Sequence, residues 1–279
     1  MIDACARISD YASQQDAAAD PKRAVHEFRK AVRRLRALLR LMEGFVGVDA
    51  YERARETLRE LHQATSAWRD RHVVNDILAG LEQLDTNAKS AAVIESLRAS
   101  IAIQPLPEPA VIQPVLDQGC AELAELPSIL AGAMPRQLRW QALDNGLATC
   151  YRRARRRWRD VTRHDDSDAI HELRKRVKEV TYQIELFSEL GGGRIQRQRK
   201  RFANLSERLG QVSDLIVLRS YIEEHAKPNA ERRRLLKAVA TAQTQHTKRA
   251  LKLADRLFED SPREYARAIV RAARKRRPS

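Results

Sequence analysis

Two segments of the chain carry apolar residues at alternating steps of three and four over about five helical turns, and few folds accommodate that pattern. In 21–43 these residues are Val25, Phe28, Val32, Leu35, Leu39 and Met42; in 168–190 they are Ile170, Leu173, Val177, Val180, Ile184 and Phe187. Such steps keep every one of them on one side of an α-helix. Asp20 and Pro21 supply an N-cap and a first-turn proline for the first helix, and Gly44 its stop. Ser167 or Asp168 caps the second, and Gly191-Gly192-Gly193 breaks it. A single apolar stripe has to be covered, and antiparallel helical bundles are the simplest cover.

Elsewhere the sequence agrees with an all-α fold. Gly and Pro number ten each among 279 residues, and no run alternates Val, Ile and Thr as a half-buried strand does. The two stripes also belong to a longer repeat. HEFRK at 26–30 returns as HELRK at 171–175, an offset of 145 that aligns His26 with His171, Glu27 with Glu172, Arg29 with Arg174, Lys30 with Lys175 and Arg33 with Lys178. Each motif is followed by an aspartate at a matching distance: Asp70, after Arg69, and Asp214, after Ser213, lie 44 and 43 residues beyond the two histidines. Residues 103–114 contain four prolines and are the predicted junction between two helical halves, about 1–110 and 111–260. Residues 261–279 form a C-terminal basic helix or tail, with Tyr265, Ile269 and Ala272 as its apolar side and a frayed basic end; an extra polyanion-binding arm is the alternative.

The net charge is +15, with 52 Lys and Arg against 37 Asp and Glu. So basic a chain implies a polyanionic partner: nucleic acid, an anionic membrane or a phosphate polymer. Aromatic residues make up only 5%, which leaves little for stacking bases, so phosphate charge is the expected target. The cations also have a pattern. One position after the apolar stripe of the first helix come His26, Arg29, Arg33, Arg36 and Arg40, on a flank where a long side chain buries its stem and keeps its head in water or on a ligand. His171, Arg174 and Lys178 repeat the flank, but Thr181 and Glu185 stand where the first helix has Arg36 and Arg40. YRRARRRWR at 151–159, which includes Arg152, Arg155 and Arg156, and RIQRQRKR at 194–201 add further charge. A charge run alone is an ordinary solvated face. Recurrence of the same spacing in both halves, with cations exceeding acids, favours anion contact.

Several chemistries find no support. In a zinc-binding H-E-x-x-H helix, Lys30 and Lys175 would have to be histidines. Cys5, Cys120 and Cys150 are odd in number and widely spaced, which fits a reducing, cytosolic setting rather than a disulfide framework or a zinc ribbon. The N-terminal MIDACARISDYASQQD has acids where a signal peptide needs a basic and then an apolar stretch, and no run approaches the roughly 20 apolar residues of a membrane span. There is no phosphate-cradling G-x-x-x-x-G-K-[ST] and no nucleophile paired with a base, and Glu27 and Glu172 read as helical partners of Lys30 and Lys175. No metal or cofactor is expected.

The sequence resembles the CHAD family, the conserved-histidine α-helical domain. The resemblance rests on VHEFRKAVRRLRALL, IHELRKRVKEVTYQIE, Arg69-Asp70, the Leu209-Gly210 to Asp214 segment and CYRRARRRW, and it extends over roughly residues 1–260. It implies a single domain of two similar four-helix antiparallel bundles, related by an approximate two-fold, with a basic groove or pore between them. That groove binds inorganic polyphosphate without catalysis, and members associate with polyphosphate granules. The family positions carried over are His26, Arg29, Arg33, Arg34 and Arg36, and His171, Arg174, Lys175, Lys178 and Tyr182. Thr181, in place of the basic residue usual before Tyr182, and Ser213, where the first half has Arg69, imply a weaker grip by the second half. Lys30, Arg40, Arg69, Arg152, Arg155 and Arg156 complete the expected phosphate contacts, with Asp70 and Asp214 orienting the cations or forming ordinary interhelical ion pairs. The triphosphate-tunnel domain fused to some relatives needs an E-x-E-x-K strand, which is absent here. The other readings are a general nucleic-acid-binding protein, since nonspecific binding at low salt follows from the charge, and a helical adaptor for an acidic partner.

Overall fold

The computed structural model describes residues 1–66, 68, 95, 97, 107–136, 140–163, 167–188 and 192–274. Among them the regular structure is entirely helical: α1 (Ile2–Ser13), α2 (Pro21–Met42), α3 (Val48–Ala64), α4 (Pro109–Gly132), α5 (Trp140–Arg163), α6 (Ser167–Ser188), α7 (Gly193–His225), α8 (Ala230–Leu257) and α9 (Pro262–Arg274). None of these helices is long and apolar enough to cross a membrane.

The two striped segments are α2 and α6. Asp20 caps α2 by accepting a 2.9 Å bond from the Arg23 amide, and Pro21 occupies the first turn. All twelve stripe residues are at most 3% exposed. On α2 they meet α1, α3 and α4 in a first core that includes Cys5, Ala12, Leu58, Ile112, Leu116 and Leu123. The α6 stripe enters a second core built with α5, α7, α9 and the end of α8, where Tyr151, Phe202, Phe258 and Tyr265 pack ring against ring. A smaller cluster joins the far parts of α7 and α8 through Leu215, Leu218, Ile222, Leu235 and Val239.

Two boundaries differ from the sequence reading. The proline-rich stretch does not separate the halves: α4 begins at Pro109, carries Pro114 and Pro127 within it, and completes the first core. Proline is harmless at a helix start, where its missing N–H would be unpaired anyway, which suits Pro109; Pro114 and Pro127 lie in the interior, where each removes one i→i−4 bond and the helix continues around it. The change from the first core to the second therefore falls between α4 and α5. At the other end, α9 buries Tyr265, Ala266, Ile269, Val270 and Ala273 in the second core, so a cut at 260 removes one of its walls.

The two cores are in contact through α2. It packs on α5 and α6 as well as on its own half, and its Leu41 belongs to the second core. Gly146 makes this approach possible, because a Cβ there would lie 2.5 Å from the Leu41 carbonyl oxygen. Gly119 does the same for α4, where a Cβ would meet Phe28 at 2.6 Å.

Candidate functional site

Helices α2 and α6 carry the repeated motif and pack directly on each other. Their contact is tied by polar groups. Gln183, fully buried, donates to the Ala37 carbonyl at 3.1 Å and to Cys150 Sγ at 3.0 Å. Arg34 pairs with Glu185 at 3.3 Å and lies over the Tyr182 ring, 5.9 Å from its centroid. Arg40 pairs with Glu179 at 3.2 Å, and Glu179 also receives Arg176 at 2.8 Å. Nearby, Arg153 of α5 reaches Glu43 at the end of α2 at 3.7 Å.

Around this contact the cations of both halves come within range of one another. Arg36 is pushed below the ordinary arginine value by burial and by Arg40, Arg176 and Arg33, with Glu179 opposing them. An arginine so placed stays charged, so the surrounding positive potential is not relieved by loss of a proton. Arg33 is half-buried, and its Nε has no hydrogen-bond partner among the described residues. His26 is exposed. Its imidazole is held below its usual pKa by partial burial first, then by Arg33, Lys30 and, from the other half, Lys178, while Glu27 pulls the other way. His26, Arg33, Arg36, Arg40, Arg176 and Lys178 thus share one field, with Glu27, Glu172, Glu179 and Glu185 as the acids beside them. Such an excess of positive charge attracts a polyanion.

Not every expected residue joins this cluster. Arg29 is buried at 3% exposure and points inward, donating to the His62 carbonyl at 3.2 Å and to Thr65 Oγ1 at 2.9 Å. A guanidinium placed on the last carbonyls of α3 satisfies acceptors that the helix end leaves open, so Arg29 braces α2 to α3. Arg174, its counterpart, reaches Asp214 of α7 at 3.7 Å, with its guanidinium lying beside Gly210. Lys30 and Lys175 pair with Glu27 and Glu172 at 2.8 and 2.7 Å, and the Tyr11 hydroxyl also donates to Glu27. Arg155 donates to the Phe258 carbonyl at 2.9 Å at the end of α8. Arg152, Arg156 and His171 are exposed. Arg69 and Asp70 lie outside the described residues.

Thr181 explains why the basic flank is shorter on α6. It stands where α2 has Arg36, but it is buried and donates its hydroxyl to the Val177 carbonyl at 2.8 Å. Glu185, where α2 has Arg40, is the partner of Arg34. Sequence reasoning did not find Arg176, Glu179 or Gln183. Glu179 aligns with Arg34 under the offset of 145, just as Glu185 aligns with Arg40, so opposite charges at repeated positions were the available signal.

A family model for the CHAD domain matches residues 3–223 of the chain. Among solved structures, the crystal structure of the CHAD domain from the plant Ricinus communis is similar at 20% identity and a TM-score of 0.46, covering 90% of this chain and 82% of that one. No curated protein matches.

Proposed function

The chain belongs to the CHAD family, a family linked to polyphosphate binding, and from that premise we propose that it binds inorganic polyphosphate non-enzymatically in the groove where α2 meets α6. One observation carries this reading: guanidinium and ammonium groups from both halves converge there in excess of the acids that face them, and the buried Arg33 Nε is left with no hydrogen-bond partner among the described residues. Polyphosphate offers closely spaced anionic oxygens and no bases. Arginine forks and a lysine ammonium suit such a ligand, and the chemistry of binding requires nothing further. In this reading His26, Arg33, Arg36, Arg40, Arg176 and Lys178 meet the polymer, His171 and Lys175 extend the track, and Arg29 and Arg174 hold the motif helices in register. Association with polyphosphate granules follows from the same contact.

The ion pairs at the contact support an approximate two-fold between the halves. Arg34 reaches Glu185, and Arg40 reaches Glu179. Under the offset of 145, the first pair joins position 34 to the counterpart of 40, and the second joins 40 to the counterpart of 34. Two surfaces related by a two-fold make reciprocal contacts of this kind.

The test is a competition at about 150 mM salt, where exposed charges are screened beyond roughly 8 Å. Polyphosphate is expected to displace duplex DNA of equal total charge while the reverse fails, and R33A/R36A/K178A is expected to lose this preference. Polymer length should be unchanged after incubation. Equal displacement by DNA would replace the proposal with general nucleic-acid binding, and shortening of the chain would make the protein an enzyme.

A further inference from the structure

A second basic face lies on α9. Arg263, Arg267, Arg271 and Arg274 follow one another at steps of four, four and three and are exposed, while the opposite side of the helix is sealed into the second core. Arg267, Arg271 and Arg274 line a cleft with Asp144 and Val270; Arg267 and Arg271 also line the adjoining cleft, with Arg194 from the first turn of α7, Glu264 and Ala272. None of Arg194, Arg267, Arg271 and Arg274 forms an ion pair among the described residues. Two acids stand among these four arginines and offset part of their charge. Glu264 is engaged with the Ser261 amide at 3.0 Å, at the start of α9. Asp144 has a buried Oδ1 without a hydrogen-bond partner, and burial raises its carboxyl pKa while Arg267 and Arg274 pull it back.

Helix α9 packs on α5 and α7, whereas α6 packs between α5 and α7 from the other side and meets α2 there. Within the second bundle α9 and α6 are therefore diagonal, and their outward faces are turned away from each other. Arg267 to Arg274 spans about 10 Å along the helix at 1.5 Å per residue, a track long enough for several phosphate groups. Among the described residues no aromatic side chain lines either cleft, so backbone charge, not a base, is what such a surface can recognise.

We propose that the α9 face is a second polyphosphate-binding site and that, by facing away from the α2–α6 groove, it makes the protein a cross-linker of long polyphosphate chains. The inference rests on the function proposed above, since it takes the same ligand class. A chain too short to leave one site binds without joining molecules. A long chain held at the groove of one molecule continues to the α9 face of the next, and each additional contact benefits from a high local concentration of phosphate.

The test compares inorganic tripolyphosphate with long-chain polyphosphate on the full chain, with R267E/R271E as the variant, at about 150 mM salt. Wild type is expected to scatter light strongly with the long polymer and not with tripolyphosphate. The variant should lose about tenfold or more of that scattering while its tighter tripolyphosphate binding step stays within about twofold of wild type. Both arginines are exposed, and unchanged thermal unfolding establishes that the variant is folded. Undiminished scattering by the variant overturns the cross-linking role and leaves the groove intact. Absence of polyphosphate binding by wild type overturns both proposals. Equally strong clustering of wild type by long duplex DNA, removed by the same substitutions, would make α9 a nucleic-acid contact instead.

Discussion

Glu179 is the residue at which stability and ligand affinity should move in opposite directions. Its carboxylate receives Arg40 at 3.2 Å and Arg176 at 2.8 Å and supports the charge on Arg36, with roughly a fifth of each paired side chain still exposed. Each pair has a gross attraction of about 5 kcal/mol at 3 Å and an effective dielectric constant of about 20, most of which is offset by desolvation. Removing one partner of a fully buried pair costs about 3–5 kcal/mol. The partial exposure here reduces that, so Glu179→Gln, which keeps the shape and loses the charge, is expected to destabilise by about 2 kcal/mol. At about 2–4 °C per kcal/mol for a chain of this size, thermal unfolding should fall by about 4–8 °C.

The same substitution removes a negative charge from beside the groove. A carboxylate about 7 Å from a bound phosphate, at an effective dielectric constant of about 40, costs about 1.2 kcal/mol before screening. With the Debye length near 8 Å at physiological salt, about 0.5 kcal/mol of that remains, a gain of about twofold in polyphosphate affinity. Calorimetric titration of E179Q beside wild type measures this, and Glu56→Gln on exposed α3 controls for net charge alone. A weaker or unchanged affinity in E179Q, or a gain matched by E56Q, would refute the reasoning, because the phosphate chain would then not lie over the α2–α6 contact.

Two further outcomes follow from the geometry. Gly146→Ala places a Cβ 2.5 Å from the Leu41 carbonyl oxygen and 3.1 Å from its neighbouring backbone atoms, so α5 must move off α2; about 1–3 kcal/mol of overpacking, less up to about 1 kcal/mol of helix propensity, should lower the unfolding temperature, while Gly132→Ala, which meets nothing within 4 Å, should not. His26 has a depressed pKa in the free protein, so its contribution to stability is present above the ordinary value near 6.5 and is lost as pH falls through the folded value. Bound phosphate raises that pKa, and polyphosphate affinity should therefore decline as pH rises from below 6.5 towards the bound value, by a component that His26→Gln removes; identical pH profiles for the two proteins would exclude the imidazole from the site.

The local half of this structure was legible in the sequence, because helix periodicity, capping and i, i+3 pairing depend on neighbours along the chain. Every stripe residue of α2 and α6 is buried, Asp20 caps as its position implied, and Lys30 and Lys175 meet the glutamates one turn before them. The prolines misled for a physical reason. Pro105, Pro107, Pro109 and Pro114 look like one linker, but Pro109 sits at the first helical position and Pro114 costs the helix a single backbone bond, and only the burial of Ile112, Leu116 and Leu123 decides to which core the helix belongs.

What distinguishes a groove cation from a structural one lies further from the sequence. Arg29 and Arg33 are one turn apart on the same flank, and their spacing to the apolar stripe is equivalent. Arg29 falls beside the end of α3, where open carbonyls and Thr65 draw its guanidinium inward. Arg33 falls where its charged neighbours are Arg36 and His26 of the same helix, cations in place of acceptors. The difference is made by partners of Arg29 more than 30 residues away, and no local pattern encodes it. The repeat does encode it in a weaker form: Arg34 and Glu179 are aligned opposites, as are Arg40 and Glu185, and two helices that exchange opposite charges at aligned positions are matched for pairing with each other. Read as an interface code and not as imperfect duplication, those four residues already place α2 against α6, and the excess cations beside them become the site.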